Sequence, residues 1–363
     1  MKSPEISIAA DQHIFKIEQL EHQPGIQLHL YDPHSWNPSD FHHSVDALLI
    51  RTVTSVDEEL LKALGDRLKY IGTATSGSDH VGKKLLSNRG ITFSDAKGCN
   101  SKAVAEYTLT SLLHWCNARN IQPNSLTIGV AGIGHVGSKV DHLCREAGFK
   151  MMCYDPIRRN NPEDNFIGCT ESELFSSDVL SLHTPLTNSK ESDFPTQNWI
   201  SEDLIQHHKN VKLWINAARG GIIDDEALAT EIFQNQTEAI IDCWKNEPNL
   251  SESLLQTTFL ATPHIAGYSI ESKLNATKMC VSACHKHFNL ADEIVEHEFS
   301  ISDKKTSSLT DDLKNKSPEE ILNNHGLLSY QKELKDVSAE HRPQRFKEIR
   351  TEHPLRREFG WLL

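Results

Sequence analysis

Three polar side chains, Arg219, Glu247 and His264, close three apolar runs in the second half of the chain. Arg219 stands in Asn-Ala-Ala-Arg-Gly (216–220), after the run 211–215. Glu247 stands in Asp-Cys-Trp-Lys-Asn-Glu-Pro (242–248), after 239–241. His264 stands in Thr-Pro-His-Ile-Ala-Gly (262–267), after 259–261. An imidazole can move a proton near neutral pH. A carboxylate hydrogen-bonded to it orients the ring and favours its charged form. A guanidinium grips a carboxylate through two parallel hydrogen bonds and polarises the oxygen beside it. This set suits a 2-hydroxy acid whose hydroxyl loses a proton while the carbon beside it loses a hydride.

A hydride needs an acceptor, and the chain carries a candidate site for one. Gly132-x-Gly134-x-x-Gly137 follows the apolar run 126–130 and opens a helical pattern over 136–147. The first glycine permits a tight turn, the second lets the backbone approach a pyrophosphate, and the third lets helix and strand pack closely. Free N–H groups at the helix start, around His135 and Val136, would hold phosphate oxygens. Asp155 ends the next apolar run, where it can accept hydrogen bonds from ribose hydroxyls. A carboxylate there would repel an extra phosphate, so NAD is expected rather than NADP. Arg158 and Arg159 read as solvated loop charges.

These side chains need a frame that gathers strand ends. The runs 126–130, 151–154, 178–182, 211–215, 239–241 and 259–261 alternate with polar or helical stretches. Strands alternating with helices predict a parallel sheet covered on both faces, with ligands outside the carboxyl ends. The first hundred residues form a smaller βα pattern, with strands expected at 6–10, 47–50, 68–71 and 91–93 and helices at 58–68 and 81–88. Long helical patterns cover 103–117 and 272–289. Residues 302–318 read as a polar linker. A short helix follows, capped by Ser317 with Pro318 and Glu320 and ended by Gly326.

Composition narrows the class. A chain of 363 residues exceeds one ordinary core. A net charge of −13 argues against non-specific binding to nucleic acid or anionic membrane. Eight scattered cysteines show no Cys-x-x-Cys pair, the first residues lack a signal-peptide core, and no run approaches the ~20 apolar residues of a membrane span. A reducing cytoplasm is expected.

The text Val-Ala-Gly-Ile-Gly-His-Val-Gly (130–137), His-Thr-Pro-Leu-Thr (183–187), Asn-Ala-Ala-Arg-Gly-Gly (216–221) and the Glu247 and His264 motifs resembles the D-isomer-specific 2-hydroxyacid dehydrogenases. The resemblance implies that Arg219 and Glu247 are the catalytic arginine and glutamate and His264 the acid/base. It also implies that Thr184, Asp242 and Gly267 line the NAD site with Asp155. Arg51-Thr-Val-Thr54, Gly72–His80, Gly98–Tyr107 and His264-Ile-Ala-Gly-Tyr-Ser resemble the branch of that family that oxidises 4-phospho-D-erythronate in pyridoxal phosphate biosynthesis. Thr52, Thr75 and Tyr268 would then contact the substrate, and Arg51 is the candidate for its phosphate. Thr52 stands where that branch usually has serine. No metal is implied.

Elements and resemblance together predict an α/β chain. A Rossmann-type doubly wound parallel sheet domain is expected over 104–264, and a smaller flavodoxin-like βα substrate domain over 1–103 and 265–300. A C-terminal appendage, 301–363, resembles a shortened dimerisation domain; its match returns at 346–361, and a homodimer is implied. Two alternatives stay open: a dehydrogenase of phosphoglycerate, glyoxylate or hydroxypyruvate, and a non-enzymatic NAD sensor. Arg342, Arg345, Lys347, Arg350, Arg356 and Arg357 read as a solvated basic helix face, or else as a source of one or two phosphate ligands. Cys280 and Cys284 read as buried, with His285 and His287 exposed beside them. Glu106 and Asp79-His80 are assigned structural roles.

Overall fold

The computed structural model describes residues 6–235, 237–291, 299 and 316–359. The chain divides into two compact units, 1–100 with 269–305 and 101–268 with 306–363. Residues 306–363 of the C-terminal segment group with the second unit. Most of the linker read at 302–318, and the last residues of the 346–361 match, lie outside the described residues.

The first unit holds β1 (Ile6–Asp11), β2 (Ile26–Tyr31), β3 (Ala47–Ile50), α1 (Glu58–Leu64), β4 (Tyr70–Thr73), α2 (Lys83–Asn88) and β5 (Thr92–Asp95). Its strands are all parallel, in the order β2-β1-β3-β4-β5, which is the flavodoxin-like order. Asp57 caps α1 through Leu60 N, as helix starts favour. β2 escapes the sequence reading because it is an edge strand. Only Ile26 and Tyr31 are buried, and its polar alternation runs on into the polar loop that follows.

In the second unit the order is α3 (Ser101–Ala118), β6 (Thr127–Ala131), α4 (Gly137–Glu146), β7 (Lys150–Tyr154), α5 (Pro156–Arg159), α6 (Glu171–Leu174), β8 (Val179–Leu182), α7 (Glu202–His207), β9 (Leu213–Asn216), α8 (Asp225–Asn235), β10 (Glu238–Ile241), α9 (Glu252–Thr257) and β11 (Leu260–Ala261). The parallel sheet runs β11-β10-β9-β8-β6-β7. A single bond, Cys169 N–H to Cys153 O at 2.8 Å, stands where a further strand would extend the β7 edge. The chain turns back at β6, which has β7 on one side and β8 on the other, so β6 and β8 form the switch point where such sheets bind ligands. Burial on both faces explains the unbroken apolar runs. Along β9, Leu213 and Ile215 enter one core and Trp214 the opposite one.

α10 (Ile270–Phe288) belongs to the first unit and starts at a capping box of Ser269 and Ser272. Its Cys280 and Cys284 are buried as expected, but so is His285, whose Nδ1 meets Ala291 O at 3.2 Å. The expectation of an exposed His285 fails because the ring lies on the packed face of the helix.

The C-terminal segment adds α11 (Pro318–Asn324), α12 (Leu327–Asp336) and α13 (Arg342–Glu352). Ser317 and Glu320 form the expected capping box, and Gly326 takes φ +72° between α11 and α12. Ile321, Leu322 and Leu327 enter one core of the second unit; Leu334, Phe346 and Ile349 enter the other. The solvated basic face is therefore corrected. Arg342 is 4% exposed and donates to Leu334 O and Val337 O and to Glu252. Arg345 pairs with Glu333 and Glu348. These cations are buried or paired because α13 packs with its stems inward rather than lying on the surface.

Arg356 pairs with Glu106 of α3 and donates to Ala103 O, while Phe359 N–H donates to the other Glu106 oxygen. Burial pushes the Glu106 carboxyl up to about 7, against the pull of Arg356. Removing the cation leaves a buried carboxyl that must take up a proton. Arg356→Ala is expected to lower unfolding stability by ~3 kcal/mol, as a broken buried pair does. The deficit should grow as pH rises above about 7, where the parent Glu106 ionises beside Arg356 while the variant's carboxyl has no cation to stabilise its charge. Denaturant titration at several pH values measures this; a flat loss under ~1 kcal/mol would mark the pair as a surface one.

Candidate active site

The glycine turn after β6 is built for a close ligand. Gly132 takes φ +87°, and a Cβ there would lie 2.7 Å from His183 O. A Cβ on Gly137 would lie 1.9 Å from Gly132 O, so only glycine lets α4 sit this close to the strand. Around Gly134 there is open space, and Gly134 and His135 are exposed. Val136 precedes α4 with no side-chain cap; since Ser138 N–H donates to Gly134 O and Lys139 N–H to Val136 O, an anion would meet the N–H groups of the turn Gly134–Gly137. Thr184, beyond β8, has a buried Oγ1 with no hydrogen-bond partner, and its methyl would lie 2.9 Å from a Gly132 Cβ. An orphaned hydroxyl beside a phosphate-type turn fits a bound dinucleotide.

Asp155 ends β7 and caps α5. Its carboxylate accepts Ile133 N–H at 2.9 Å and Arg158 N–H at 3.1 Å, and each oxygen keeps a lone pair for a ribose hydroxyl. Arg158 is not a free loop charge. Its guanidinium pairs with Asp164 at 2.7 and 3.0 Å, donates to Ile133 O at 2.9 Å and lies over Phe166. Its donors are engaged, so the acid at 155 sets the local preference against an added phosphate.

The catalytic candidates come from the adjacent strands β9 and β10 and the turn after β11. His264 Nδ1 meets Glu247 Oε2 at 2.9 Å and Oε1 at 3.1 Å. Trp244 N–H donates to Glu247 Oε1 at 2.8 Å and holds the carboxylate in place. With Nδ1 engaged, Nε2 is the ring atom left for a substrate hydroxyl. His264 takes φ +57°, an unusual backbone for a side-chain-bearing residue. Asp242 stabilises it: the buried carboxylate accepts Ile265 N–H at 2.8 Å, Ala266 N–H at 3.0 Å and the Thr262 hydroxyl at 2.6 Å, and Tyr107 OH extends the chain to Thr262. Asp242, which the resemblance places beside the cofactor, also anchors the His264 turn through these hydrogen bonds.

Arg219 is half-buried, with one guanidinium nitrogen donating to Ala218 O at 2.8 Å. Its turn abuts the Glu247 turn: a Cβ on Gly220 would lie 1.9 Å from Trp244 O, and Asn216 Nδ2 bridges Arg219 O and Cys243 O. Asn216 and Gly220 are positioning residues that the sequence reading carried only as neighbours of Arg219. Gly267 and Tyr268 follow on the His264 turn. Arg350 donates to the Tyr268 hydroxyl at 3.4 Å.

Thr52 and Thr75 belong to the first unit. They leave the paired ends of β3 and β4, where Ile50 faces Thr73. Thr52 is exposed; Thr75 Oγ1 donates to Gly77 O and meets Thr73 Oγ1, both at 2.7 Å. Arg51 is fixed by the buried Asp11 through Nε at 2.8 Å.

Burial alone would strip the His264 proton, yet the ring sits well above its ordinary value, because Cys243 and Glu247 both favour the charged form. The Cys243 thiol is itself pushed up by burial and stays neutral near pH 7. Glu247 is therefore the anion that matters. Burial opposes its charge too, but His264, the Trp244 N–H and Arg350 hold it below the ordinary range. Donor atoms of Cys243, Glu247 and His264 lie within 4.8 Å of one another, a spacing a metal could use; here the His264–Glu247 hydrogen bond occupies two of the three.

Comparison with known proteins agrees with this geometry. The family model described as D-isomer specific 2-hydroxyacid dehydrogenase, NAD binding domain, matches residues 108–266. Solved structures share the fold: an NAD-bound 3-phosphoglycerate dehydrogenase of Entamoeba histolytica (TM-score 0.64, 23% identity, 78% of this chain and 96% of that one) and a D-lactate dehydrogenase of Aquifex aeolicus (TM-score 0.61, 23%, 78% and 95%). The second unit is thus an NAD-binding domain of the 2-hydroxyacid dehydrogenase class. Among curated relatives, the erythronate-4-phosphate dehydrogenase of Psychrobacter arcticus is 32% identical over 86% of each chain, and that of Bacteroides thetaiotaomicron 33% over 86% of each. The protein of the same name from Psychrobacter cryohalolentis is 37% identical, over 66% of each chain. The chain belongs to the erythronate-4-phosphate dehydrogenase family, whose members are NAD-dependent enzymes.

The charged pair makes a kinetic prediction. With His264 as the candidate base, oxidation would need the ring unprotonated, so kcat/KM should fall on the acid side of a limb set above the ordinary histidine value of ~6.5. Glu247→Gln removes the anion that raises it. The limb is expected to move to lower pH as the maximal rate falls. A limb that stays in place would mean that another group sets it.

Proposed function

We propose that the protein oxidises 4-phospho-D-erythronate to (R)-3-hydroxy-2-oxo-4-phosphooxybutanoate, a step toward pyridoxal 5′-phosphate. The observation that supports this most is the His264 Nδ1–Glu247 contact at 2.9 Å, with the Arg219 turn packed on the Glu247 turn. NAD, when bound, supplies the hydride acceptor. It would be held by the N–H groups of the turn Gly132–Gly137 at the start of α4, Asp155 and Thr184. Arg219 binds the substrate carboxylate and polarises the C2 oxygen. His264 Nε2 takes the hydroxyl proton, and Glu247 stabilises the imidazolium that forms. A base and a hydride acceptor act on one carbon, so the proton and the hydride leave C2 and its hydroxyl together and a ketone results.

The choice of substrate rests on family membership and on the first unit. Thr52 and Thr75 offer hydroxyls beside Arg51, a donor set suited to a phosphate. A cytoplasmic homodimer completes the reading. Its supports are the eight free cysteines, the fact that no described helix is long and apolar enough to cross a membrane, and the C-terminal segment that resembles a dimerisation domain.

Single-turnover NADH formation tests the assignment. Among 4-phospho-D-erythronate, 3-phosphoglycerate, glycerate and lactate, the first is expected to give the highest kcat/KM. Arg51→Ala should raise KM for it much more than for glycerate. Preference for an unphosphorylated acid would favour another dehydrogenase of the class. Tight NAD binding with no turnover of any acid would favour a sensor.

A further inference from the structure

Of the tail cations, Arg350 alone among those described reaches the catalytic residues. It lies on α13, between Phe346 and Ile349, which are 1% exposed at its own helix and hold it in the core, and His353, which meets the Tyr268 ring at 5.9 Å between centroids. Its guanidinium lies over the Phe346 ring at 5.7 Å. One terminal nitrogen donates to the Tyr268 hydroxyl at 3.4 Å, and the other stands 4.0 Å from Glu247 Oε2. That oxygen is the one His264 Nδ1 approaches at 2.9 Å. Arg350 Nε is buried without a hydrogen-bond partner, so the side chain is held by packing and by these two contacts.

We propose that Arg350 is a positioning residue of the active site: it fixes the Tyr268 hydroxyl and draws on the same Glu247 oxygen that binds His264, so the C-terminal segment takes part in the proton transfer. The proposal rests on the reading of His264 as the acid/base. Two cations share one carboxylate oxygen. Each weakens the hold of Glu247 on the other, because a charge partly neutralised by one partner attracts the second less. Arg350 thus keeps Glu247 from binding the His264 proton too tightly to release it. The charged and titratable groups around the ring are Asp242, Cys243 and Glu247 from the turn after β10 and Arg350 from α13, with Tyr268 on the ring's own turn; Arg219 stands on the neighbouring turn, where Gly220 packs against Trp244 O. Of these, Arg350 brings a permanent cation to 4.0 Å from Glu247 Oε2.

The test has a sign that a merely structural role lacks. In the full-length protein, Arg350→Ala is expected to move the acidic limb of kcat/KM for oxidation upward, by up to about one pH unit. This is opposite to the shift expected for Glu247→Gln. Arg350→Lys keeps a cation near Glu247, so its limb should stay near that of the parent while KM rises through the lost Tyr268 contact. Tyr268→Phe should raise KM and leave the limb in place. The same shift is read without substrate by titrating the His264 ring by NMR in the ligand-free protein, with NAD binding as the check on folding. If Arg350→Ala does not fold, Arg350→Gln and Arg350→Lys carry the comparison. An unmoved or lowered His264 titration in a folded, NAD-binding Arg350→Ala or Arg350→Gln protein overturns the proposal. If the ring shifts upward while no 2-hydroxy acid is oxidised, the positioning role stands and the proposed activity fails.

Discussion

Two turns meet through one hydrogen bond, the first carrying Glu247 and the second His264, and the second unit is arranged to hold them together. The turn after β11 bends through a left-handed residue, His264 itself. Such a backbone persists only where its surroundings over-determine it. Asp242 does this with three hydrogen bonds to that turn, and Trp244 Nε1 adds a fourth contact, to Thr262 O at 2.9 Å. Trp244 also turns its own N–H toward Glu247. The residues Asp242–Glu247 therefore brace both partners at once. A core change that moved β10 would misplace acid and imidazole together.

The sheet supplies the rest of the geometry. Parallel strands carry their carboxyl ends to one edge, and that edge is where Gly132, Thr184, Arg219, Glu247 and His264 all follow their strands. Much of this was legible because strands buried on both faces leave unbroken apolar runs, and the functional residues punctuate them. Boundaries moved by a residue or two; the strand read at 211–215 is Leu213–Asn216. β2 was not legible, since an edge strand with one wet face looks like the loop beside it. The turn-anchoring bonds of Asp242 and the bridge made by Asn216 were not legible either. A buried carboxylate that anchors a turn and one that contacts a ligand look the same in a sequence.

The C-terminal segment is where reading by composition fails most. Its arginines look like a solvated face because their spacing carries no record of what lies opposite. Glu106 and Glu252 stand far away in sequence, yet they neutralise Arg356 and Arg342. Only long-range packing of α13 on the second unit reveals the pairs. Arg350 is the case with a chemical consequence, because its partners are Tyr268 and Glu247.

The central claim is that Glu247 holds a proton on His264 in the resting protein. Nitrogen-15 NMR of the ligand-free protein at pH 7 tests it most directly, by reporting the state of both His264 ring nitrogens. The account predicts an imidazolium, with Nδ1 and Nε2 both protonated, and a neutral ring in Glu247→Gln. A neutral His264 at pH 7 in the unaltered protein, or a ring whose titration is indifferent to Glu247→Gln, would contradict it.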